Sequence, residues 1–359
     1  MSRSVSIRDV AAAAGVSYQT VSRVINQHPR VKQSTRQLVL AIIDDLGFRP
    51  NRAARTLAGG PVGSVTVLTS NTTLYGQASA LQGIEEAARA AGFTVGVRVI
   101  ESEAEDMVAD AVARAAEPGS ALIVLAFDTA GTRALAAVPP GVPMVAVVET
   151  PVGDEGAGKP WVWIDDREAA REATRFLLGL GHQTVHYVAI PSSTSNSQRT
   201  VGWRTALQEA GVDVPEPVQG GWHPHSGYLA GRVLAADPGV TAVLCGNDDL
   251  AVGVIRAMHE ASRAIPDSVS VVGFDDTPHA EFLTPALTTV RLDFVELGRA
   301  CVALLRPFLD PRAVPGPRPR PTPRPELIVR ESAGPAPGYT GPLPRTRPVP
   351  PAADQGGAG

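Results

Sequence analysis

Apolar residues Ile7, Val10, Ala11 and Ala14 recur at the i, i+3, i+4, i+7 spacing of one helical stripe. Ser6, with Asp9 three residues on, supplies a capping pair at its start. Gly15 suits the positive φ of a tight turn, and Ser17 can cap a second helix whose core face is Val21, Val24 and Ile25. A third helix is predicted from about Ser34, boxed with Gln37, through Leu38, Ile42, Ile43 and Leu46 to a stop at Gly47. Three short helices with a Gly turn between the first two describe a helix-turn-helix within residues 1–50. After Pro50, Asn51 caps a further short helix over 51–60, ended by Gly59 and Gly60. Alone it is marginal, because nucleation costs more than so few hydrogen bonds return.

From Val62 the pattern changes. Short apolar, β-branched runs at 62–70, 93–100, 121–127, 142–148, 184–190, 240–246 and 269–274 alternate with amphipathic helices. One such helix is 76–91, with Leu81, Ile84, Ala88 and Ala91 on one face. Continuous apolar strands separated by helices predict parallel sheets covered on both sides. Seven or more strands divide into two doubly wound subdomains, with a ligand cleft at their C-terminal strand ends. Between Pro311 and Pro325 stand seven prolines and four arginines, which permit only extended or disordered chain. Residues 326–331 read as a last strand. The Pro/Gly-rich 333–359 has no heptad pattern and is expected to be disordered.

The 359 residues suffice for two or three domains, and 44% hydrophobic with 19% charged residues excludes a wholly disordered chain. Two cysteines are too few for a disulfide framework. The N-terminus has no apolar leader core, and no run approaches the ~18 apolar residues of a membrane span. A cytoplasmic, nucleoid-associated protein is therefore expected. Charge is unevenly divided. Residues 1–60 hold nine Arg or Lys against three acids, which leaves 23 basic and 33 acidic side chains for the remainder of a chain of net charge −4. A small basic head on an acidic body suits a phosphate-binding module joined to a separate sensor. In a helix-turn-helix the second helix enters the major groove N-terminus first. Tyr18 and Gln19 lie there, with Arg23 a turn further on. Gln can pair bidentately with adenine and Arg with guanine.

Catalytic signatures are missing. Residues 153–160, GDEGAGKP, fit the Gly-x4-Gly-Lys core of a phosphate loop, but Pro160 supplies no hydroxyl for magnesium, and WVWID after it reads as a strand. No nucleophile elbow, Cys-x-x-Cys or His-Glu-x-x-His is present, and His223 and His225 have no accompanying ligand cluster. Neither enzyme activity, nor a cofactor, nor a metal is expected. Polar and aromatic residues do gather at strand ends: Ser70, Asn247, Asp248 and Asp275, with Arg199 at a helix start, Trp222 in a loop and Phe294 after a late strand. Singly each has a plain explanation, with Asp248 or Asp276 capping a helix, Trp222 in the core and Arg199 in a surface ion pair. Together they offer what a hydroxyl-rich ligand needs, since carboxylate, amide and guanidinium bind vicinal hydroxyls while aromatic rings cover an apolar sugar face.

Val5 to Gly59, and GVSYQTVSRVIN (15–26) above all, resemble the DNA-binding head of the lac repressor (LacI/GalR) family, and the resemblance continues to about residue 332. It implies that Ser17, Tyr18, Gln19, Thr20, Ser22, Arg23 and Asn26 face operator DNA. It also implies that 51–60 is a hinge helix, ordered on DNA, contributing Asn51, Arg52, Ala54 and a minor-groove wedge, Leu57. The body is then a type I periplasmic-binding-protein fold, crossed near 163, 292 and 325. One subdomain comprises about 62–163 and 293–325, the other about 164–292 and 326–332. Effector contacts carried over are Ser70, Arg199, Trp222, Asn247, Asp275 and Phe294, and Leu74, Gln77, Glu149 and Asp249 complete the expected ligand-binding set. This set is closer to the lactose-repressor branch than to the purine branch, with two departures. The branch's acidic contact falls on Val148, with Glu149 one residue beyond, and a one-residue slip turns a strand side chain to the other face; Gln77 stands where the branch is apolar. The expectation is a homodimeric repressor released from a palindromic operator by a sugar or glycoside, a β-galactoside in the branch's own pattern. A purine or phosphosugar corepressor is the alternative effector class. A transporter's solute-binding protein would share the body but carry a signal peptide in place of residues 1–60.

Overall fold

A computed structural model describes residues 5–25, 30–48, 64–117, 120–149, 160–192, 197–309 and 324–344. The chain divides into two compact units, residues 1–61 and 62–359. The expected contacts Asn26, Asn51, Arg52, Ala54 and Leu57, with the whole hinge segment 51–60, lie outside the described residues, as do 311–323 and 345–359.

The first unit is a three-helix head: α1 (Ile7–Ala13), α2 (Tyr18–Ile25) and α3 (Gln33–Asp45). Ser6 and Asp9 form the reciprocal capping box that the sequence predicts. Ser17 Oγ accepts the Thr20 amide at 3.2 Å and so caps α2. Val10, Val21, Val24 and Val39 are buried together, with Ile42, Ile43 and Leu46 packed against them. Two details of α3 correct the sequence reading. The helix begins at Gln33 after an N-cap, Lys32, whose side chain makes no capping hydrogen bond, so Ser34 lies inside the helix. Leu38 is half exposed while Val39 is fully buried. The stripe therefore runs Val39, Ile42, Ile43, Leu46, which keeps the helical spacing but starts one residue later.

The second unit contains two doubly wound lobes. Sheet one has strand order β2-β1-β3-β4-β5: β1 (Ser64–Thr69), β2 (Thr94–Val99), β3 (Ser120–Ala126), β4 (Met144–Val148) and β5 (Trp161–Val162). Sheet two has order β11-β10-β9-β8-β6-β7: β6 (His186–Ala189), β7 (Val218–Gln219), β8 (Ala242–Cys245), β9 (Ser270–Asp275), β10 (Thr288–Arg291) and β11 (Glu326–Ile328). Every described pairing is parallel except β10 with β11. β3 and β4 lie at the middle of their sheet and are buried almost throughout, as continuous apolar strands require. β7, two residues long, is not foreshadowed by any apolar run. Pro160 leads directly into β5, so a strand and not a helix follows the phosphate-loop look-alike.

The helices are α4 (Tyr75–Ala90), α5 (Glu105–Ala115), α6 (Thr129–Ala137), α7 (Asp166–Gly179), α8 (Gln198–Ala210), α9 (Pro224–Ala235), α10 (Asp248–Glu260) and α11 (Phe294–Leu309). Strands β1 to β5 and α11 belong to lobe one and β6 to β11 to lobe two, so the chain changes lobe between β5 and β6, between β10 and α11 and between α11 and β11. α11 returns to lobe one and packs on α4 so closely that Gly83 and Gly298 are required. A Cβ on Gly83 would collide with the Val295 carbonyl oxygen, and one on Gly298 with that of Ala80. This contact fixes Phe294, the first residue of α11.

The tail departs from expectation, for residues 333–344 are not disordered. They form a strap on lobe two: Gly334 accepts from Ser270 Oγ at 2.9 Å, and the Ala336 amide donates to the Leu180 carbonyl at 2.9 Å. The Tyr339 ring lies against Gly181, whose φ of +87° and close approach leave no room for a side chain. Buried His182 ties the strap to two strands, with Nδ1 at 3.0 Å from Thr241 Oγ1 and Nε2 at 3.1 Å from Ser270 Oγ and 3.2 Å from the Gly334 oxygen. A Pro/Gly-rich composition disfavours helix and strand, yet it permits an extended segment whose polar groups find partners on a neighbouring surface.

Candidate functional site

Where the C-terminal strand ends of the two sheets face each other lies a cleft of about 750 Å³, part of it open to solvent. Lobe one contributes an aromatic wall. Phe294 is flanked by Tyr75 and Phe127 in edge-to-face contacts, with ring centroids 6.1 and 6.0 Å away. Phe127 follows the last residue of β3, and Tyr75 opens α4 after Leu74, its N-cap. Trp222 faces the cleft from lobe two.

Lobe two contributes charge. Arg199, near the start of α8, is buried. Its Nε donates to Asp166 Oδ2 at 2.9 Å, its Nη1 to the Gly246 carbonyl and its Nη2 to Asp275 Oδ1 at 3.5 Å, while Cζ sits 4.3 Å above the Phe274 ring centroid. Burial opposes the guanidinium's charge, but the Asp166 and Asp275 carboxylates hold its pKa above the ordinary arginine value. Burial also pushes Asp275 well above the carboxylate range, and its long contact with Arg199 offsets this only in part. Asp275 and Asp276 have φ of +107° and +53°, so the backbone here is held in conformations that L-residues rarely adopt. Asp276 is gripped from two sides, by Arg291 Nε and Arg330 Nη2, each at 2.7 Å.

The structure brings nine of the ten expected ligand contacts to this cleft: Leu74, Gln77, Glu149, Arg199, Trp222, Asn247, Asp249, Asp275 and Phe294. Ser70 is not among the lining residues. Its Oγ donates to Asp128 and accepts from Gln77 Nε2 at 3.4 Å, so it stands behind Gln77. The strand-slip concern over Glu149 is overturned. β4 ends at Val148, so pleat alternation no longer governs the next residue, and both Val148 and Glu149 line the cleft. Glu149 accepts a 3.4 Å hydrogen bond from Ser192 of lobe two, and burial, reinforced by Asp166, pushes its pKa up to about 7. Asn247 has structural duties as well: its Oδ1 caps α10 at the Leu250 amide (2.8 Å), and its Nδ2 donates to the Trp222 carbonyl (3.0 Å). Asp248 does not cap a helix. Fully buried, it accepts from the Thr277 amide (2.7 Å), Thr277 Oγ1 (2.9 Å) and Thr289 Oγ1 (2.6 Å), which pins the loop after β9.

Sequence reasoning missed Tyr75, Phe127, Asp166 and Thr277. The signal available for Phe127 was its position one residue past a strand. Asp166 carried no comparable signal, because acids in the first turn of a helix are ordinary. In the head, Ser17 just before α2, Tyr18 and Gln19 in its first turn and Arg23 in its last turn are exposed, with Thr20 and Ser22 half-buried. Among the described residues no cluster of His, Cys, Asp or Glu is arranged to hold a metal, and no helix is long and apolar enough to cross a membrane.

Residues 6–51 match the family described as "Bacterial regulatory proteins, lacI family", and residues 174–333 match "Periplasmic binding protein-like domain". The Lactose operon repressor of Escherichia coli (strain K12) is 32% identical over 319 residues, covering 87% of each chain. The chain belongs to the LacI family. Another member, the HTH-type transcriptional regulator reg1 of Streptomyces lividans, is 34% identical over 352 residues, 93% of this chain and 98% of its own. A solved lac repressor dimer bound to operator and the anti-inducer ONPF superposes with TM-score 0.79 at 30% identity, over 92% of this chain and 100% of that one. The CelR–cellobiose complex superposes with TM-score 0.65 at 28% identity, over 92% and 100%. This LacI-family protein is a DNA-binding transcriptional regulator, and the relatives are regulators, not enzymes.

Proposed function

We propose that the protein is a homodimeric repressor whose hold on a palindromic operator in the cytoplasm is released by a sugar or glycoside bound between the two lobes. The observation that carries this reading is the cleft itself: edge-to-face rings on one lobe oppose a guanidinium–carboxylate cluster on the other, the combination that holds both faces of a hydroxylated ring. That relatives include proteins named for lactose and solved with cellobiose supports the sugar class. A β-galactoside is the first candidate. Ser17, Tyr18, Gln19, Thr20, Ser22 and Arg23, with Asn26, form the operator-reading surface; Asn51, Arg52, Ala54 and Leu57 act as the hinge contacts.

The mechanism is linkage. Ligand closes lobe on lobe across contacts such as Ser192–Glu149, and the closed form must favour DNA-free protein; reciprocity then requires DNA to weaken ligand binding by the same factor, typically ~1–3 kcal/mol. The test is fluorescence anisotropy of a labelled palindromic duplex from the gene's own promoter, titrated alone and with galactosides, glucosides and free sugars. Loss of binding with one glycoside is the expected result. Binding strengthened by a purine or phosphosugar would replace the inducer reading with corepression. Arg23→Ala should weaken specific operator binding by ~1–3 kcal/mol, and unchanged affinity would remove Arg23 from base reading.

A further inference from the structure

The lining of the cleft holds four carboxyl side chains, Glu149, Asp166, Asp249 and Asp275, against one cationic side chain, Arg199. In most sites that recognise hydroxyls or anions an arginine offers free N–H groups. Here Nε is used on Asp166, while Nη1 and Nη2 each give one N–H, to Gly246 and, at 3.5 Å, to Asp275, with Phe274 stacked below. The charge of Arg199 is therefore already matched by the two carboxylates beside it, and its two remaining N–H groups can serve a neutral hydroxyl without leaving net positive charge for an anionic ligand.

The other anion-binding device of such folds is also occupied. α7, α8 and α10 all start at this cleft, and a helix N-terminus ordinarily welcomes phosphate or carboxylate. Each is capped from within: Asp165 accepts from the Glu168 amide, Ser197 from the Thr200 amide and Asn247 from the Leu250 amide. A phosphate entering here would meet four acids, helix starts whose third amide is already capped by a side chain and, among the described lining residues, no cationic side chain besides Arg199.

What is missing is positive charge. Asp166 Oδ1 is buried without a hydrogen-bond partner, although its other oxygen pairs with Arg199. The Asp166 carboxylate is close enough to disfavour ionisation of Glu149. Facing them are Tyr75, Phe127, Phe294 and Trp222, and aromatic faces attract cations as readily as they stack on sugars.

We infer that the effector carries a protonated amine on a hydroxylated frame, an amino sugar or amine-bearing glycoside, with Glu149 and Asp166 as the residues that select for its charge and against phosphorylated ligands. This rests on the sugar reading above and narrows it. The ammonium lies beside the Asp166 and Glu149 carboxyl groups as their counter-ion, while the ring stacks on the aromatic wall.

The experiment is isothermal titration of the full-length protein with matched trios of one hexose frame, namely the neutral sugar, its 2-amino form and its 6-phosphate, across glucose, galactose and mannose. The inference expects one amino member to bind on the order of tenfold tighter than its neutral partner, with no heat from any phosphate. Glu149→Gln, checked for folding by its melting curve, should reduce the ratio of amino-sugar to neutral-sugar affinity to near unity, whatever it does to the affinity for the neutral sugar. Asp166→Asn provides a second reading of the same preference. Equal affinity for neutral and amino forms, or tighter binding of a phosphate, overturns the inference and leaves the sugar reading standing. No binding by any member of the panel overturns both.

Discussion

At the scale of single residues, the cleft is governed by how few counter-charges serve many carboxylates. Removing Arg199 would leave Asp166 and Asp275 buried without compensation. Arg199→Ala should therefore cost ~3–5 kcal/mol of folding stability, measured by urea denaturation, besides abolishing ligand response. Lysine should not rescue it, since one ammonium cannot reproduce three divergent hydrogen bonds above a ring. Glu149 gives a pH prediction of definite sign. Its folded pKa of about 7 lies above the unstrained 4.5, so below about 4.5 both states carry the proton and no stability difference arises. As pH rises to 7 and beyond, the unfolded state releases its proton more readily and the fold loses stability. Glu149→Gln should match the parent's melting temperature at pH 4.5 and exceed it increasingly up to pH 8; a constant gap across that range would refute the assignment. The arginine and the terminal aromatic were legible in the sequence because each sits at a helix start or strand end. Asp166 was not, because nothing local in DDREAA marks the one acid that meets Arg199 from 33 residues away.

At the scale of elements, spacing was a good guide wherever an element's neighbours are local. The capping box of α1, the burial of Val21 and Val24 and the parallel strands β1 to β4, β6, β8 and β9 follow from local pattern. It failed where tertiary contact set the phase, as with Val39 replacing Leu38 in the head, or where composition was used as a stand-in for contact, as in the strap. Two element-level outcomes follow. Gly83→Val should force α4 and α11 apart, cost at least ~1–3 kcal/mol and disturb the aromatic wall through Phe294, visible as weakened ligand binding with operator affinity retained. His182→Ala should take away the ring partner of Thr241 Oγ1 and leave a cavity beneath the strap, cost ~1–3 kcal/mol and raise hydrogen exchange at the Ala336 amide, although Ser270 Oγ and Gly334 stay bonded to each other. Protection unchanged at Ala336 would mean that the strap is held by Tyr339 and the Leu180 carbonyl without help from the histidine.

At the scale of the whole molecule, an operator-reading head and a ligand cleft must be joined in a symmetric assembly for the proposed switch to work. Sedimentation of the full chain should give a dimer at micromolar concentration, with and without operator DNA; a stable tetramer would show that an interface other than a heptad segment builds higher order. The division of labour between sequence and fold is clear in particular residues. The sequence by itself determined the kind and order of elements, the basic head and the family, because helix and strand periodicities and caps act over two to four residues and are written locally. Only the tertiary structure decided that Glu149 lines the cleft despite its offset and that Asp166 shares Arg199 with Asp275. It alone set three aromatic rings edge to face and docked residues 333–344 on lobe two. Those outcomes depend on where the chain crosses between lobes and on which strand ends meet, so they arise from packing across long sequence separations, which no local pattern encodes.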